Sequence, residues 1–367
     1  MLPLRPLFPL LKLSGAIFFA LVLLDALLFR TGAYFHVMEP DSTSGSVYGA
    51  TLAVDRYSDP ARKNVLVLGN SKIGEGFSAP IADAAIARSD LHFVNGSIAG
   101  TSPRVWYYFL RKVDPDAKRF AAVALMIEYD LSGFGQDLKN YPLDTSYAVS
   151  LLGLRDVVDY PASFTDADQR ERARRAIALP LQALHEDARE LLLHPIRRYR
   201  HVAHYRPAWL EAVGVYGGHE EALPDLPIDA QTGLPSDWGS DAATLRPKLE
   251  PYFRALRWKA DPQQRASNAD YEREWIGRIA ARYRANGVPV IVFVVPRGPW
   301  HATLASPPQP DEAIAALARD GAITMLPGDA FTLLEKPQYF FDTLHMNRAG
   351  REIFSRRFAE RVAPLVH

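Results

Sequence analysis

Short apolar runs alternate with amphipathic segments near both ends of this 367-residue chain. Continuous apolar runs bounded by turn residues are typical of buried strands. They predict strands over 65–69, 91–95, 121–127, 288–296 and 322–326. Helical spacing predicts helices over 80–88, 103–113, 269–286 and 347–362. Because strands that alternate with helices favour a parallel sheet, the sequence predicts one doubly wound α/β domain over 60–367, built from 60–132 and 266–367.

The residues between the two halves have a different pattern. The insertion, 133–265, begins with an Arg-rich stretch of helical character and ends in a segment rich in Pro, Gly and Asp. Since it leaves the sheet after the third strand, we expect it to emerge at the carboxyl edge of the strands. A lid or an acceptor platform would occupy that position.

The N-terminal region contains an apolar run, 13–29, that only Asp25 interrupts. Its length suits a membrane span, so we expect an uncleaved anchor over 1–35 and a linker over 36–59; a cleaved signal peptide is the alternative. Arg5 and Lys12 precede the run and Arg30 follows it, which places the N-terminus in the cytoplasm and the rest outside. Asp25 would face a protein partner or lie near the outer interface.

Composition excludes several classes of function. The 42 basic residues balance the 42 acidic residues, so no net field attracts nucleic acid. The absence of cysteine excludes disulfides, a thiolate nucleophile and cysteine-based zinc sites. His194, His201 and His204 have no carboxylate pair near them in the sequence, so we expect no metal site there. We expect no cofactor.

Three short segments carry candidate chemistry. Ser71 follows the first strand, at the edge where ligands bind in such sheets, and is either a turn residue or a nucleophile. Asp342 and His345 are three residues apart, a spacing that lets a carboxylate orient an imidazole, although a surface loop before a helix capped by Asn347 has the same pattern. Gly100 lies in a loop whose amides could approach an oxyanion, or is part of a tight turn.

The three segments, "LGNS", "NGSIAG" and "DTLH", occur in this order at strand ends or just before the last helix. Together they resemble the blocks of the SGNH (GDSL-like) hydrolase superfamily. The resemblance implies a three-layer α/β/α, flavodoxin-like fold. It also implies Ser71 as the nucleophile, His345 as the general base and Asp342 as the group that orients it, with the amides of Ser71 and Gly100 in the oxyanion hole.

The chain departs from this family after the third strand, where the family usually has an Asn that donates to the oxyanion. Here the sequence is "MIEYDLSG". An ionised Glu128 cannot donate a hydrogen bond, whereas the Tyr129 hydroxyl can, so we expect Tyr129 in the hole. Asn70 and Arg297, each just after a strand, are expected to bind substrate; Arg297 could equally pair with an acid at the edge of the core.

An anchored, outward-facing SGNH domain that ends in "HMNRAG" resembles the accessory proteins of envelope-polymer acylation. This group includes relatives of DltD and of the alginate and cellulose O-acetylation proteins. The resemblance implies transfer of an acyl group, most simply acetyl, to hydroxyls of a cell-envelope polysaccharide at the bacterial inner membrane, on the periplasmic side. A membrane-bound O-acyltransferase would be its partner. The alternatives are a carbohydrate esterase of the same fold and a catalytically weak scaffold for such an acyltransferase.

Overall fold

A parallel five-stranded sheet forms the centre of the protein. The computed structural model describes residues 7–128, 137–229, 231–256, 261–301 and 311–367. The sheet has the order β2-β1-β3-β4-β5, and every pair of neighbours is parallel. The predicted α/β class and the parallel sheet are therefore confirmed. The strands are β1 Lys63–Leu68, β2 Leu91–Asn95, β3 Ala122–Ile127, β4 Val290–Val294 and β5 Thr324–Met325.

Helices make up most of the remaining regular structure. Those of the N-terminal half are α1 Leu7–Asp25, α2 Thr43–Tyr57, α3 Ser71–Gly76, α4 Ala79–Ala85 and α5 Pro103–Val113. Those of the predicted insertion are α6 Asp144–Ala148, α7 Asp159–Ala162, α8 Ala167–Ala178, α9 Pro180–Ala183, α10 His185–Leu193, α11 Pro195–Val215 and α12 Ala242–Leu256. The last are α13 Pro262–Arg284, α14 Glu312–Arg319 and α15 Arg348–Val362.

The helices cover the sheet in two groups. Helix α15 packs with α3 and α4, whereas α13 packs with α5 and α14. Because crossovers between parallel strands are right-handed, this strand order places the two groups on opposite faces. The chain runs outward from β1 to β2 and then returns to β3. A crevice for a ligand therefore opens at the carboxyl ends of β1 and β3, where the direction reverses.

The chain divides into two compact units. One consists of the residues up to Gly49 together with Thr145–Leu210, and the other of Ala50–Asp144 together with Glu211–His367. The sheet lies wholly in the second unit. The segment predicted as a linker, 36–59, contains helix α2, in which Val47 and Val54 are fully buried. The part of the insertion from Thr145 to Leu210 thus packs in the same unit as the N-terminal helix, whereas its two ends belong to the unit that contains the sheet.

The N-terminal helix has the character of a membrane span. Lys12–Arg30 are long and apolar enough to cross a bilayer, with a mean hydropathy of 2.0. This is consistent with the predicted single-pass anchor. Asp25, however, finds its partner within the chain: its carboxylate accepts a hydrogen bond from the Leu181 amide at 2.9 Å and is 2% exposed.

The C-terminal end of this helix joins a small core of its own unit. Arg30 donates to the carbonyl oxygens of Ile177 and Ala178 at 3.1 and 2.9 Å. These contacts tie the helix end to α8. The core consists of Phe29, Tyr34, Met38, Val149, Ala176 and Leu184.

Candidate active site

Ser71 lies at the first position of α3, directly beyond the carboxyl end of β1. The turn between strand and helix is held by Asn70, whose side-chain oxygen accepts from the Lys72 amide at 2.9 Å. This is the usual hydrogen bond of a helix N-cap. Strand β1, buried from Asn64 to Leu68, therefore places the Ser71 hydroxyl at the switch point of the sheet.

His345 is carried by a loop that two backbone hydrogen bonds close. The Phe341 amide donates to the His345 carbonyl at 3.1 Å, and the Asn347 amide donates to the Tyr339 carbonyl at 2.9 Å. The Phe341 ring stacks on the imidazole, with an interplanar angle of 17°. These contacts fix the plane of the ring before α15 begins.

Ser71, His345 and Asp342 form a continuous chain of hydrogen bonds. His345 Nε2 lies 2.9 Å from Ser71 Oγ, and His345 Nδ1 lies 2.8 Å from Asp342 Oδ2. The structure therefore brings together the three residues that the sequence singles out. The imidazole can accept the serine proton at one nitrogen while the carboxylate holds the other.

The surroundings of Asp342 favour its ionised form. Partial burial acts to raise its pKa, but hydrogen bonds from the His345 ring and from the amides of Leu344 and His345 outweigh burial and lower the pKa below its usual range. A carboxylate that stays charged stabilises the imidazolium that forms during proton transfer.

Gly100 lies in a turn and has a left-handed backbone conformation. Its φ of +72° is a conformation that other residues rarely adopt. Ser71 and Gly100 line the same cavity, and within the described ranges no acceptor pairs with the amide of either residue. Two backbone donors are thus available to an oxyanion beside the Ser71 hydroxyl.

The cavity has a volume of about 280 Å³, and most of its exposed wall is apolar although several polar and charged side chains line it. Its wall includes residues from the start of the predicted insertion, Leu138 and Tyr141. A later part of the insertion contacts the loop that carries His345, where the Leu223 amide donates to the Phe340 carbonyl. That the insertion acts as a lid remains a prediction. The other lining residues are Asn70, Ser71, Lys72, Gly100, Thr101, Ser102, Pro103, Trp106, Met126, Ile127, Glu128, Glu272, Leu344 and His345.

After β3, where SGNH hydrolases usually have an Asn that donates to the oxyanion, this chain has Glu128 and Tyr129. Glu128 forms an ion pair with Lys72 at 3.0 Å and accepts a hydrogen bond from the Asn70 side-chain amide. Glu128 is thus a paired acceptor rather than a donor. The predicted donor, Tyr129, lies outside the described residues. Asn70 lines the cavity as expected, with its amide engaged by Glu128.

Arg297, the other residue expected to bind substrate, does not lie in the described cavity wall. Its guanidinium forms an ion pair with Glu335 at 2.6 Å, and the residue is 7% exposed. The Arg297 amide donates to the same carboxylate at 3.1 Å. The structure corrects the expectation of a ligand contact: Arg297 fixes the loop after β4, the alternative that the sequence left open.

A buried polar network supports one wall of the cavity. Arg104 pairs with Asp144 at 3.0 Å, and both side chains are fully buried. Ser102 donates to the same carboxylate at 2.9 Å and lies 2.6 Å from the Tyr271 hydroxyl. Sequence analysis missed this network because its members are far apart in the chain. It links α5, α13 and the start of α6.

One group of side chains has ligand atoms close enough for a metal ion. Glu39, Asp41 and His201 place one such atom each within 4.8 Å of the others. Arg198 lies 3.1 Å from the Glu39 carboxylate, however, and the His201 ring lies 2.8 Å from it. The protein's own cationic and imidazole groups thus lie within ion-pair distance of both oxygens of this carboxylate.

The sequence was compared with protein-family models and with curated proteins, and it matches none of them.

Proposed function

We propose that the protein transfers an acyl group, most simply acetyl, through Ser71 to a hydroxyl of a cell-envelope polysaccharide. The observation that carries this proposal is the hydrogen-bonded chain from Ser71 through His345 to Asp342. Two free amides beside the hydroxyl and a mainly apolar cavity support it. Acyl transfer needs these parts: an activated nucleophile, a base held in one orientation and donors for the oxyanion.

In the first half of the reaction, Ser71 Oγ attacks the carbonyl carbon of an acyl donor. Its proton passes to His345 Nε2, and the amides of Ser71 and Gly100 stabilise the oxyanion. The leaving group departs with the proton from His345. In the second half, His345 removes the proton of an acceptor hydroxyl, which attacks the acyl-enzyme and releases Ser71.

The fold supports membership of the SGNH hydrolase superfamily. The order β2-β1-β3-β4-β5 is that of flavodoxin-like domains, and helices on both faces give three layers. Within that superfamily, the proposal places the protein among the anchored accessory proteins of envelope acylation. Its sheet domain would lie in the periplasm, beside a membrane-bound O-acyltransferase. A fold-level analogy of this kind concerns the pathway and adds to the argument from the site.

The first test is covalent labelling of Ser71. The full chain in nanodiscs, treated with a fluorophosphonate, should gain one adduct that peptide mass spectrometry assigns to Ser71. Ser71→Ala should lose the adduct completely, and His345→Ala should slow labelling by about a thousandfold, since the base is removed. Ser97→Ala, at a serine in the nearby loop after β2, is the control. An unlabelled wild-type protein would contradict the nucleophile.

A second measurement separates transfer from hydrolysis. With para-nitrophenyl acetate, a transferase should release a burst of nitrophenol and then turn over slowly, because water is a poor acceptor for its acyl-enzyme. Addition of a soluble polysaccharide should accelerate the slow phase. Fast steady hydrolysis without a burst would favour the esterase instead. If Ser71→Ala fully restored envelope acylation in a deletion strain, the scaffold alternative would replace both.

A further inference from the structure

Glu272 is a buried carboxyl group in the wall of the catalytic cavity. It lies on α13 and is 9% exposed, and it lines the same cavity as Ser71 and His345. Its neighbour Tyr271 points into the buried network, where its hydroxyl lies 2.6 Å from Ser102. Glu272 takes no part in the triad or in that network.

Within the described part of the chain, the Glu272 carboxyl has no hydrogen-bond or ion-pair partner. The charged groups that face it are the carboxylates of Glu128, after β3, and of Asp311, at the start of α14. The cations of the surrounding elements are engaged elsewhere: Lys72 with Glu128, and Arg104 of α5 with Asp144. Burial of an unpaired carboxyl group in such a place has an unfavourable free energy unless the group is neutral or binds a ligand.

The surroundings favour the neutral form. Burial, followed by the charges of Glu128 and Asp311, raises the pKa of Glu272 to about 8. A neutral carboxylic acid has an O–H group to donate, whereas a carboxylate only accepts. An ionised Glu272 would also add a negative charge close to those of Glu128 and Asp311.

We propose that Glu272 is a substrate-binding residue that, as a neutral acid, donates a hydrogen bond to an oxygen of the bound acyl ester. The proposal rests on the proposed acyl transfer through Ser71 and defines its substrate class further. The cavity would accept uncharged acyl groups that present an oxygen to Glu272. It would reject anionic acyl groups such as succinyl, because burying a charge without a partner in this cavity is unfavourable.

The test uses the full chain in nanodiscs with para-nitrophenyl acetate, and measures KM and the acylation rate from pH 6 to pH 9.5. For the wild type we expect KM to rise above about pH 8, as the donating proton is lost. Glu272→Gln keeps a donor that does not titrate, so its KM should stay flat over this range. Glu272→Ala should raise KM about tenfold at pH 7, and the difference from wild type should shrink above about pH 8. Glu274→Gln, at a half-exposed glutamate two residues along α13, should behave as wild type.

A spectroscopic measurement gives a readout independent of turnover. The infrared spectrum at pH 7 should contain the C=O stretch of a neutral carboxylic acid that Glu272→Gln removes and Glu274→Gln retains. Formation of a phosphonate adduct on Ser71 should shift this band as the O–H group finds an acceptor. Absence of the band in the wild type, or an unchanged KM in both Glu272 variants, would overturn the proposal.

A set of esters separates the remaining outcomes. Wild type should acylate with the acetyl ester faster than with the succinyl ester, and Glu272→Gln should retain that preference because a neutral Glu272 contributes no charge to it. A preference for a glycyl ester, lost in Glu272→Gln, would show an ionised Glu272 that binds an ammonium and would overturn the neutral acid. If the wild type forms no Ser71 adduct while the band is present, the proposed function fails rather than the protonation of Glu272.

Discussion

His301 is a buried imidazole beside the ion pairs under the catalytic loop. Its ring nitrogen Nδ1 lies 3.2 Å from the Tyr252 hydroxyl, and the residue is 8% exposed. Burial, together with the positive charges of Arg297 and Lys72, lowers the pKa of His301 to about 3. The folded protein therefore holds this ring neutral, whereas the unfolded chain protonates it near the ordinary value of 6.5.

This difference predicts how stability depends on pH. Below pH 6.5 the His301 ring binds a proton in the unfolded state but stays neutral in the folded state. The free energy of unfolding therefore falls as pH decreases towards about 3. Between pH 7 and pH 5, His301 should remove about 2 kcal/mol. Urea denaturation of wild type and His301→Gln should show this loss in the wild type alone. His185→Gln, at an exposed histidine, controls for the change in charge, and equal slopes for all three proteins would contradict the prediction.

At the scale of elements, the Asn and Gly of the segment "HMNRAG" are explained by the contacts that Asn347 and Gly350 make. The Asn347 side chain accepts from the Gly350 amide at 3.0 Å and caps α15. It also donates to the carbonyl oxygens of Gln338 and Glu221, at 2.9 and 3.1 Å. Any side chain at position 350 would collide with the Tyr339 carbonyl oxygen. Asn347 therefore holds the start of the helix and the catalytic loop together.

Asn347→Ala should consequently affect both stability and catalysis. Loss of the cap should lower the free energy of unfolding by about 1 to 2 kcal/mol. Because the loop bonds are lost as well, the rate of Ser71 labelling by fluorophosphonate should fall about tenfold or more. Asp166→Ala, which removes the cap of α8, should cost similar stability and leave labelling unchanged. Equal labelling in both variants would show that the loop holds His345 without Asn347.

The elements also show how far the sequence could predict the structure. Strands β1 to β4 are parallel and largely buried, so each forms a continuous apolar run in the sequence. The bounds predicted from these runs agree with the bounds in the structure to within two residues at each end. The short edge strand β5 gave a weaker signal. Helix α2 was missed because its start, "TSGS", has the composition of a linker. Glu272 was missed since it sits in the polar run "YEREW", where burial depends on contacts that only the fold creates.

At the scale of the whole molecule, the N-terminal helix is part of the folded unit that contains α8 to α10. Phe29 is buried in the same core as Ala176 and Leu184, and Arg30 binds carbonyl oxygens of α8. A protein that begins at Thr31 loses the Phe29 side chain, whose burial is worth about 1.5 to 3 kcal/mol. It also loses the contact between Asp25 and Leu181.

We therefore expect deletion of residues 1–30 to destabilise the unit that contains α8 to α10 and to leave the unit that contains the sheet unchanged. Hydrogen exchange of α8 to α10 should become faster than in the full chain, while the amides of β1 to β4 keep their protection. Deletion of residues 1–11 retains Asp25, Phe29 and Arg30 and serves as the control. Unchanged exchange in α8 to α10 after the longer truncation would mean that these contacts do not stabilise the unit.

The distance along the chain between the serine and its base has a consequence for synthesis. Ser71 and His345 are 274 residues apart, so a ribosome adds the histidine about 14 to 55 s after the serine. During that interval the nascent chain carries the Ser71 hydroxyl without the imidazole of His345, the base of the proposed mechanism. Under that mechanism, a prematurely terminated product that stops anywhere before His345 would lack its general base and would not be acylated at Ser71.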